Sequence, residues 1–550
     1  MPIEPTLSAL ALVAAVGTTP LAWQRLQLSR AKHPSLTGHS RWSQRLARWL
    51  PGCSYTEAQM LCADGAPPDI QNLRLAGLQR LGAVFSERCR QTLQLTQQAR
   101  EGLSDLQFTG RYRVPYPYAD AVKPYLPVGA FVDGAQGVHV TDLDGNRYFD
   151  LTGSYGVNVF GVDFYKACLR EGLRHSEALG PILGSYHPVV ASNIQRLQQI
   201  SGLDEVSFHM SGTEAVMQAV RLARYHTRRS HVVRFCGAYH GWWEDVQPGP
   251  GNPMPPRETY TLRDMHERSL TVLRRRRDIA CVLINPLQAL HPNQAAPSDS
   301  ALLDGGRRAA FDREAYTAWL KALRQVCTER GIVLIFDEVF LGFRLAPGGA
   351  QEYFGVRADM VTYGKTLGGG LPVGVVCGRK ALMRRWRADR PADICFARGT
   401  FNAHPQVMTT MGAFLDRLQQ PETLARYEGA DAVWDARRDA FNARMAHEGF
   451  PVRAANLGTI WTLWYDQTSR WHWLYQFYLR EQGIALSWVG TGRLIFGLHW
   501  QAHEVDAVTE CCVAAARQMQ HDGWWWKGSQ ETARSIRRGL LLKALMGKAA

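Results

Sequence analysis

Between Val206 and Pro372 short apolar runs alternate with amphipathic helical segments, and this alternation limits the fold more than any other feature of the chain. Strands are read at Val206 to Met210, His231 to Phe235, Ala280 to Asn285 and Ile332 to Phe336, and a further apolar run starts at Met360 and ends in Lys365. Helices are read after Ser211-Gly212-Thr213-Glu214-Ala215 through Arg224 and from Asp312 to Arg330. Strands that alternate with helices imply an α/β fold with a large, mostly parallel sheet covered on both faces. Ligands of such sheets bind beyond the carboxyl ends of the strands. Ser211-Gly212-Thr213, Asp337 and Lys365 all fall there.

A lysine in isolation is a solvated surface charge. Lys365 stands instead between an apolar run and Gly368-Gly369-Gly370, backbone that is free to approach a ligand because glycine has no Cβ and accepts positive φ. Partial desolvation there lowers an amine's pKa, as a lysine that attacks a carbonyl needs. Lys365 is therefore read as the residue that holds an aldehyde cofactor as a Schiff base. Asp337, in isolation a turn or cap residue, closes an apolar strand and is placed to pair with a protonated ring nitrogen. Ser211-Gly212-Thr213 opens a helix whose first N–H groups can receive an anion or serve only as an N-cap.

The rest of the chain is ordinary for a globular protein, with 46% hydrophobic and 20% charged residues among 550. The net charge of +14 is spread over many segments, and no zinc-finger spacing, RNP-type run or heptad-linked basic region accompanies it, so no nucleic-acid partner is expected. Eleven cysteines without a C-x-x-C pair indicate neither a metal cluster nor a disulfide framework and fit a reduced, cytoplasmic compartment. Leu7 to Trp23 is apolar but interrupted by Gly17, Thr18, Thr19 and Pro20, too short to span a bilayer. It reads equally as a packed helix or as a membrane-surface anchor followed by Arg25, Arg30 and Lys32.

Five segments are expected: a helical N-terminal extension (1–110), with one or two amphipathic helices between Asp69 and Leu106; the N-terminal part of a small domain (111–180); a large cofactor-binding domain (181–421); a C-terminal α/β small domain (422–525); and a basic tail (526–550). The Asp144-Gly145-Asn146 turn between alternating runs is a hairpin signal.

Ser211-Gly212-Thr213-Glu214, Ala238-Tyr239-His240-Gly241, Phe336-Asp337-Glu338-Val339 with Gly342-Phe343-Arg344, Tyr363-Gly364-Lys365 and Gly399-Thr400-Phe401 occur in this order. Together they resemble the class III, fold type I pyridoxal-phosphate aminotransferases, in the glutamate-1-semialdehyde aminomutase-like branch. Gly348 to Gly355 and Thr400 to Pro405 are further similar to the aminotransferase domains of polyketide–peptide synthases. The resemblance covers about Tyr112 to Asp522. It implies pyridoxal 5′-phosphate as cofactor, Lys365 as its Schiff-base lysine and proton carrier, and Asp337 on the ring nitrogen. It also implies Tyr239 and Val339 against the two ring faces, Gln288 on the ring hydroxyl, the Ser211-Gly212-Thr213 backbone on the phosphate, and Thr400 reaching that phosphate from the second subunit of a homodimer. Tyr239 counts among the catalytic residues.

Two positions depart from the branch: Asn285 in Asn285-Pro286-Leu287-Gln288 replaces a glutamate, and Tyr155 replaces a tryptophan. Both weigh against the aminomutase reaction and leave the cofactor residues intact. The implied activity is ping-pong amino transfer from an amino-acid donor to an aldehyde or keto acceptor, including an acyl chain on a separate carrier protein. The alternative is glutamate-1-semialdehyde 2,1-aminomutase. The intact Lys365 and Asp337 oppose a third reading, a non-catalytic, membrane-associated homologue.

Overall fold

The computed structural model describes residues 20–32, 45, 49, 52–246, 258–291, 308–487 and 492–546. Most of the apolar run Leu7 to Trp23 lies outside these residues. Residues 20–31 form a helix whose end docks on the large sheet: Arg263 N donates to Ala31 O at 3.0 Å, and Lys32 bridges Leu262 in antiparallel sense. This contact covers an edge strand that would otherwise present unpaired backbone groups. No helix among the described residues is long and apolar enough to cross a membrane.

The Asp144-Gly145-Asn146 turn closes an antiparallel pair, β2 (His139–Thr141) with β3 (Arg147–Asp150), and β1 (Gly134–Gln136) adds beside β2. The turn is shaped by Asp142, whose Oδ1 accepts from the N–H groups of Asp144 and Asn146, while Gly145 takes φ 81°.

The large sheet holds β4 (Glu205–His209), β5 (His231–Phe235), β6 (Thr259–Leu262), β7 (Ile279–Ile284), β8 (Val333–Asp337), β9 (Met360–Gly364) and β10 (Gly374–Gly378), in the spatial order β4-β10-β9-β8-β7-β5-β6. Only β10 runs against its neighbours β4 and β9. Strands β7 to β10 are buried at every residue, the pattern of a sheet covered on both faces. One face carries the helix Gly212–Thr227, through Ala215, Ala219, Val220 and Ala223. The other carries Arg313–Arg330 and Pro405–Leu418. Val159, Phe160, Tyr165 and Cys168 join this second layer, so the stretch expected in the small domain contributes to the large core. A short hairpin, β11 (Trp386–Arg387) and β12 (Arg390–Ile394), follows β10.

The second core surrounds an antiparallel sheet of β13 (Val452–Leu457), β14 (Ile460–Tyr465) and β16 (Arg493–Ile495), while β15 (Ile484–Ala485) pairs in parallel with β3. Leu78, Leu81 and Phe85 of the helix Pro68–Arg88 are buried in this core with Trp461, Trp471, Trp473 and Trp524. Arg74 of the same helix is fully buried; it makes a two-pronged pair with Asp64 at 2.7 Å and lies between the Trp471 and Trp524 rings. The helices Glu57–Leu61 and Pro68–Arg88 are therefore part of the small-domain core, whereas the helix at residues 20–31 joins the large one.

Candidate active site

Because β4, β5, β7, β8 and β9 point the same way, their carboxyl ends open on one edge of the sheet. A cavity of about 790 Å³ lies there. The large domain lines it with Ser211, Gly212, Thr213, Tyr239, His240, Asn285, Gln288, Asp337, Val339 and Lys365, and the opposite side presents Tyr155, Ser487, Arg493 and Ile495. Every sequence-predicted site residue is in this lining except Thr400, which stands exposed on a loop after β12.

Asp337, the last residue of β8, is buried, and three donors hold its carboxylate. His240 Nδ1 lies 2.7 Å from Oδ2, while Val339 N and Thr362 Oγ1 donate to Oδ1 at 3.1 and 3.3 Å. Burial pushes the His240 imidazolium down, although the Asp337 carboxylate opposes this, so the ring is neutral and donates through Nδ1. Its Nε2 is buried with no partner. His240 carries no role in the sequence reading; its only signal is its place in the Ala238-Tyr239-His240-Gly241 loop.

Lys365 follows β9 and opens the 3₁₀ turn Lys365–Gly368. Its φ is 47°, a left-handed conformation that is uncommon outside glycine and tends to mark functional positions. Burial lowers the pKa of its amine; Arg344 adds to the effect and Asp337 opposes it. Its Nζ lies 5.2 Å from the centre of the Phe340 ring. The glycine run beyond serves mainly packing: a Cβ on Gly369 would stand 2.7 Å from Thr410 Cγ2 and 2.9 Å from Thr410 O. Only Gly370 of the three lines the cavity, so the expected close backbone approach narrows to that residue.

Ser211 caps the helix Gly212–Thr227, its Oγ accepting from Glu214 N at 3.3 Å. The amides of Gly212 and Thr213, in the first turn, precede any intrahelical acceptor. A Cβ on Gly212 would lie 2.6 Å from Val339 Cγ1, so glycine is what lets Val339 close over the start of this helix. Gln288 donates through Nε2 to Cys236 O and leaves Oε1 buried without a partner. Tyr239 is half-open, its phenol raised by burial and by Asp337. Asn285 Oδ1 accepts from Leu287 N at 3.0 Å and so shapes the turn that presents Gln288. Arg344 is wholly buried and structural: it donates to Thr459 Oγ1 and to the carbonyls of Phe496, Gly156 and Asn158, tying the two cores together.

The family model "Aminotransferase class-III" matches residues 121–244 and 311–515. A glutamate-1-semialdehyde 2,1-aminomutase of Alkaliphilus oremlandii is 32% identical over 332 residues, 56% of this chain and 72% of the relative. A solved transaminase with PLP bound is 26% identical with a TM-score of 0.59, the match covering 72% of this chain and 92% of that one. A glutamate-1-semialdehyde aminomutase structure from Pseudomonas aeruginosa PAO1 shares the fold, with a TM-score of 0.66 at 17% identity over 82% of this chain and 99% of that one.

Proposed function

The chain belongs to the class-III aminotransferases, and from that premise we propose that it moves an amino group from an amino-acid donor to an aldehyde or keto acceptor of a biosynthetic pathway. Its cofactor is pyridoxal phosphate, and the cavity walls fit that group. The unpartnered Gln288 Oε1 can accept from a ring hydroxyl, the Asp337 carboxylate can hold a ring N–H, and the start of the helix Gly212–Thr227 can receive a phosphate. When bound there, pyridoxal phosphate supplies a conjugated ring that takes up the electron pair left when a C–H bond of the amine breaks.

The chain's own residues divide the work. Lys365 Nζ, its pKa lowered by burial, acts as nucleophile and then as the base that takes and returns a proton. Asp337 keeps the ring nitrogen protonated, and His240, Val339 N and Thr362 fix its carboxylate. Tyr239 and Val339 flank the ring, and Ser211, Gly212 and Thr213 bind the phosphate. Thr400, exposed and away from its own chain's cavity, reaches the phosphate of a second subunit in a homodimer.

The observation that carries this reading is the shared placement of Lys365 and Asp337 at the carboxyl ends of adjacent parallel strands, facing one cavity. Lys365→Ala should abolish the visible absorbance of the purified protein and slow donor deamination by about 10²- to 10⁴-fold. Unchanged absorbance and rate in that variant would sink the proposal.

The names of relatives such as that of Alkaliphilus oremlandii support a second reading, the 2,1-aminomutase, which returns the amino group to the same skeleton. Asn285 and Tyr155 weigh against it. Incubation with glutamate-1-semialdehyde alone separates the two: turnover without an amino donor favours the mutase.

A further inference from the structure

We propose that the outward face of the helix Ala533–Met546 docks the protein on an anionic lipid bilayer, along whose surface the helix lies. The proposal does not depend on the amino-transfer reading.

One side of this helix is fixed to the small domain. Just ahead of it Glu531 closes an ion pair with Arg470, whose Nε donates to Glu531 Oε2 at 2.9 Å. Thr532 caps its start, Oγ1 accepting from Ser535 N at 3.1 Å. Ile536 and Ala544 are buried, and Leu540 packs on the small-domain core. Lys543 Nζ donates to Gln59 Oε1 at 2.8 Å and stands 4.0 Å from the centre of the Tyr55 ring. The opposite side carries Arg534, Arg538, Leu541, Leu542 and Leu545 in one exposed stripe at helical spacing. Its leucines are 47, 45 and 61% exposed, an apolar patch that the protein's own core leaves uncovered.

The charges on the helix favour an anionic partner. Arg534, Arg537 and Arg538 lie in its first half, near the positive end of the helix dipole, where cations are disfavoured, and its first turn holds no acid. No Asp or Glu follows Glu531 in the sequence, while Lys543 and Lys548 add to the arginines. Helix stability therefore does not account for the arginines, and packing does not account for the leucines. A bilayer surface meets both: leucine side chains enter the headgroup boundary while the arginines beside them reach lipid phosphates. The stripe is a convex helix face whose only polar groups are cations, which suits a fluid anionic layer better than the shaped surface of a protein. At 14 residues the helix is about 21 Å long, so it lies on the bilayer and does not cross it.

The test is flotation of the full-length holoenzyme with vesicles of phosphatidylcholine alone and of phosphatidylcholine with about one-third phosphatidylglycerol. Wild type should bind the anionic vesicles about tenfold or more tightly than the neutral ones, and high salt should weaken that binding. Leu541→Ser, Leu542→Ser and Leu545→Ser combined in one protein should weaken binding to the anionic vesicles by about tenfold or more. Arg534→Gln combined with Arg538→Gln should do the same by about tenfold, and serves if the serine variant does not fold. Both variants replace exposed side chains, so the thermal midpoint and the visible absorbance should stay as in wild type. The proposal is overturned if wild type floats with neither kind of vesicle, if it floats with both alike, or if either folded variant floats as wild type does. Leucine-dependent self-association in sedimentation, without vesicle binding, would make the stripe a contact between copies of this chain and would equally overturn it.

Discussion

His240→Ala removes the shortest of the three contacts to the Asp337 carboxylate, the 2.7 Å bond from Nδ1, and leaves Val339 N at 3.1 Å and Thr362 Oγ1 at 3.3 Å. A hydrogen bond to a charged group contributes about 1.5–3 kcal/mol, and Asp337 is buried where no bulk water replaces it. The chain has two large hydrophobic clusters, so global unfolding is a poor gauge of this local loss. Cofactor affinity is the better one, because a loosened Asp337 no longer presents its free lone pairs in a fixed direction. A loss of that size corresponds to a rise in Kd for pyridoxal phosphate of about ten- to a hundredfold, measured by quenching of tryptophan fluorescence in apoenzyme. His240→Gln, which retains an N–H donor at a similar reach, should recover a good part of the loss. If His240→Ala binds the cofactor within about threefold of wild type, or if the glutamine variant is no better than alanine, His240 does not position Asp337.

Glu338 is wholly buried beside the site, and burial pushes its carboxyl up to about 8 although Ala350 N and Gln351 N donate to it. The folded state thus keeps a proton that the unfolded chain releases in the ordinary carboxylate range. Stability should therefore fall as pH rises from about 5 to about 8, by at most about 1.4 kcal/mol per pH unit, and Glu338→Gln should flatten the fall. Parallel urea-midpoint profiles for the two proteins would contradict this. For the homodimer, mixed dimers of Lys365→Ala and Thr400→Val subunits contain one doubly damaged site and one intact site if Thr400 acts across the interface. They should regain about half of wild-type turnover; recovery no greater than in the Thr400→Val homodimer would place Thr400 in its own subunit's site.

The local signals in this chain read well because they depend on near neighbours. The helix expected from Asp312 forms as Arg313–Arg330 with Asp312 as its N-cap, and the apolar run that ends at Asp337 is β8. Strand polarity follows from the alternation with helices, and that alone brings Ser211, Asp337 and Lys365 to one sheet edge. It could not determine which distant groups meet there. His240 reaches Asp337 across 97 residues of chain, and Arg493 arrives from the small-domain sheet. Gly369 is fixed by a helix more than thirty residues on, at Thr410, rather than by a ligand. The helix Pro68–Arg88 looked separable because its amphipathic face says that it must be covered but not by what; the fold supplies Trp471 and Trp524. Periodicity records which side chains leave water, while the partner each one finds is set by sheet order and domain packing, which exist only in the folded chain.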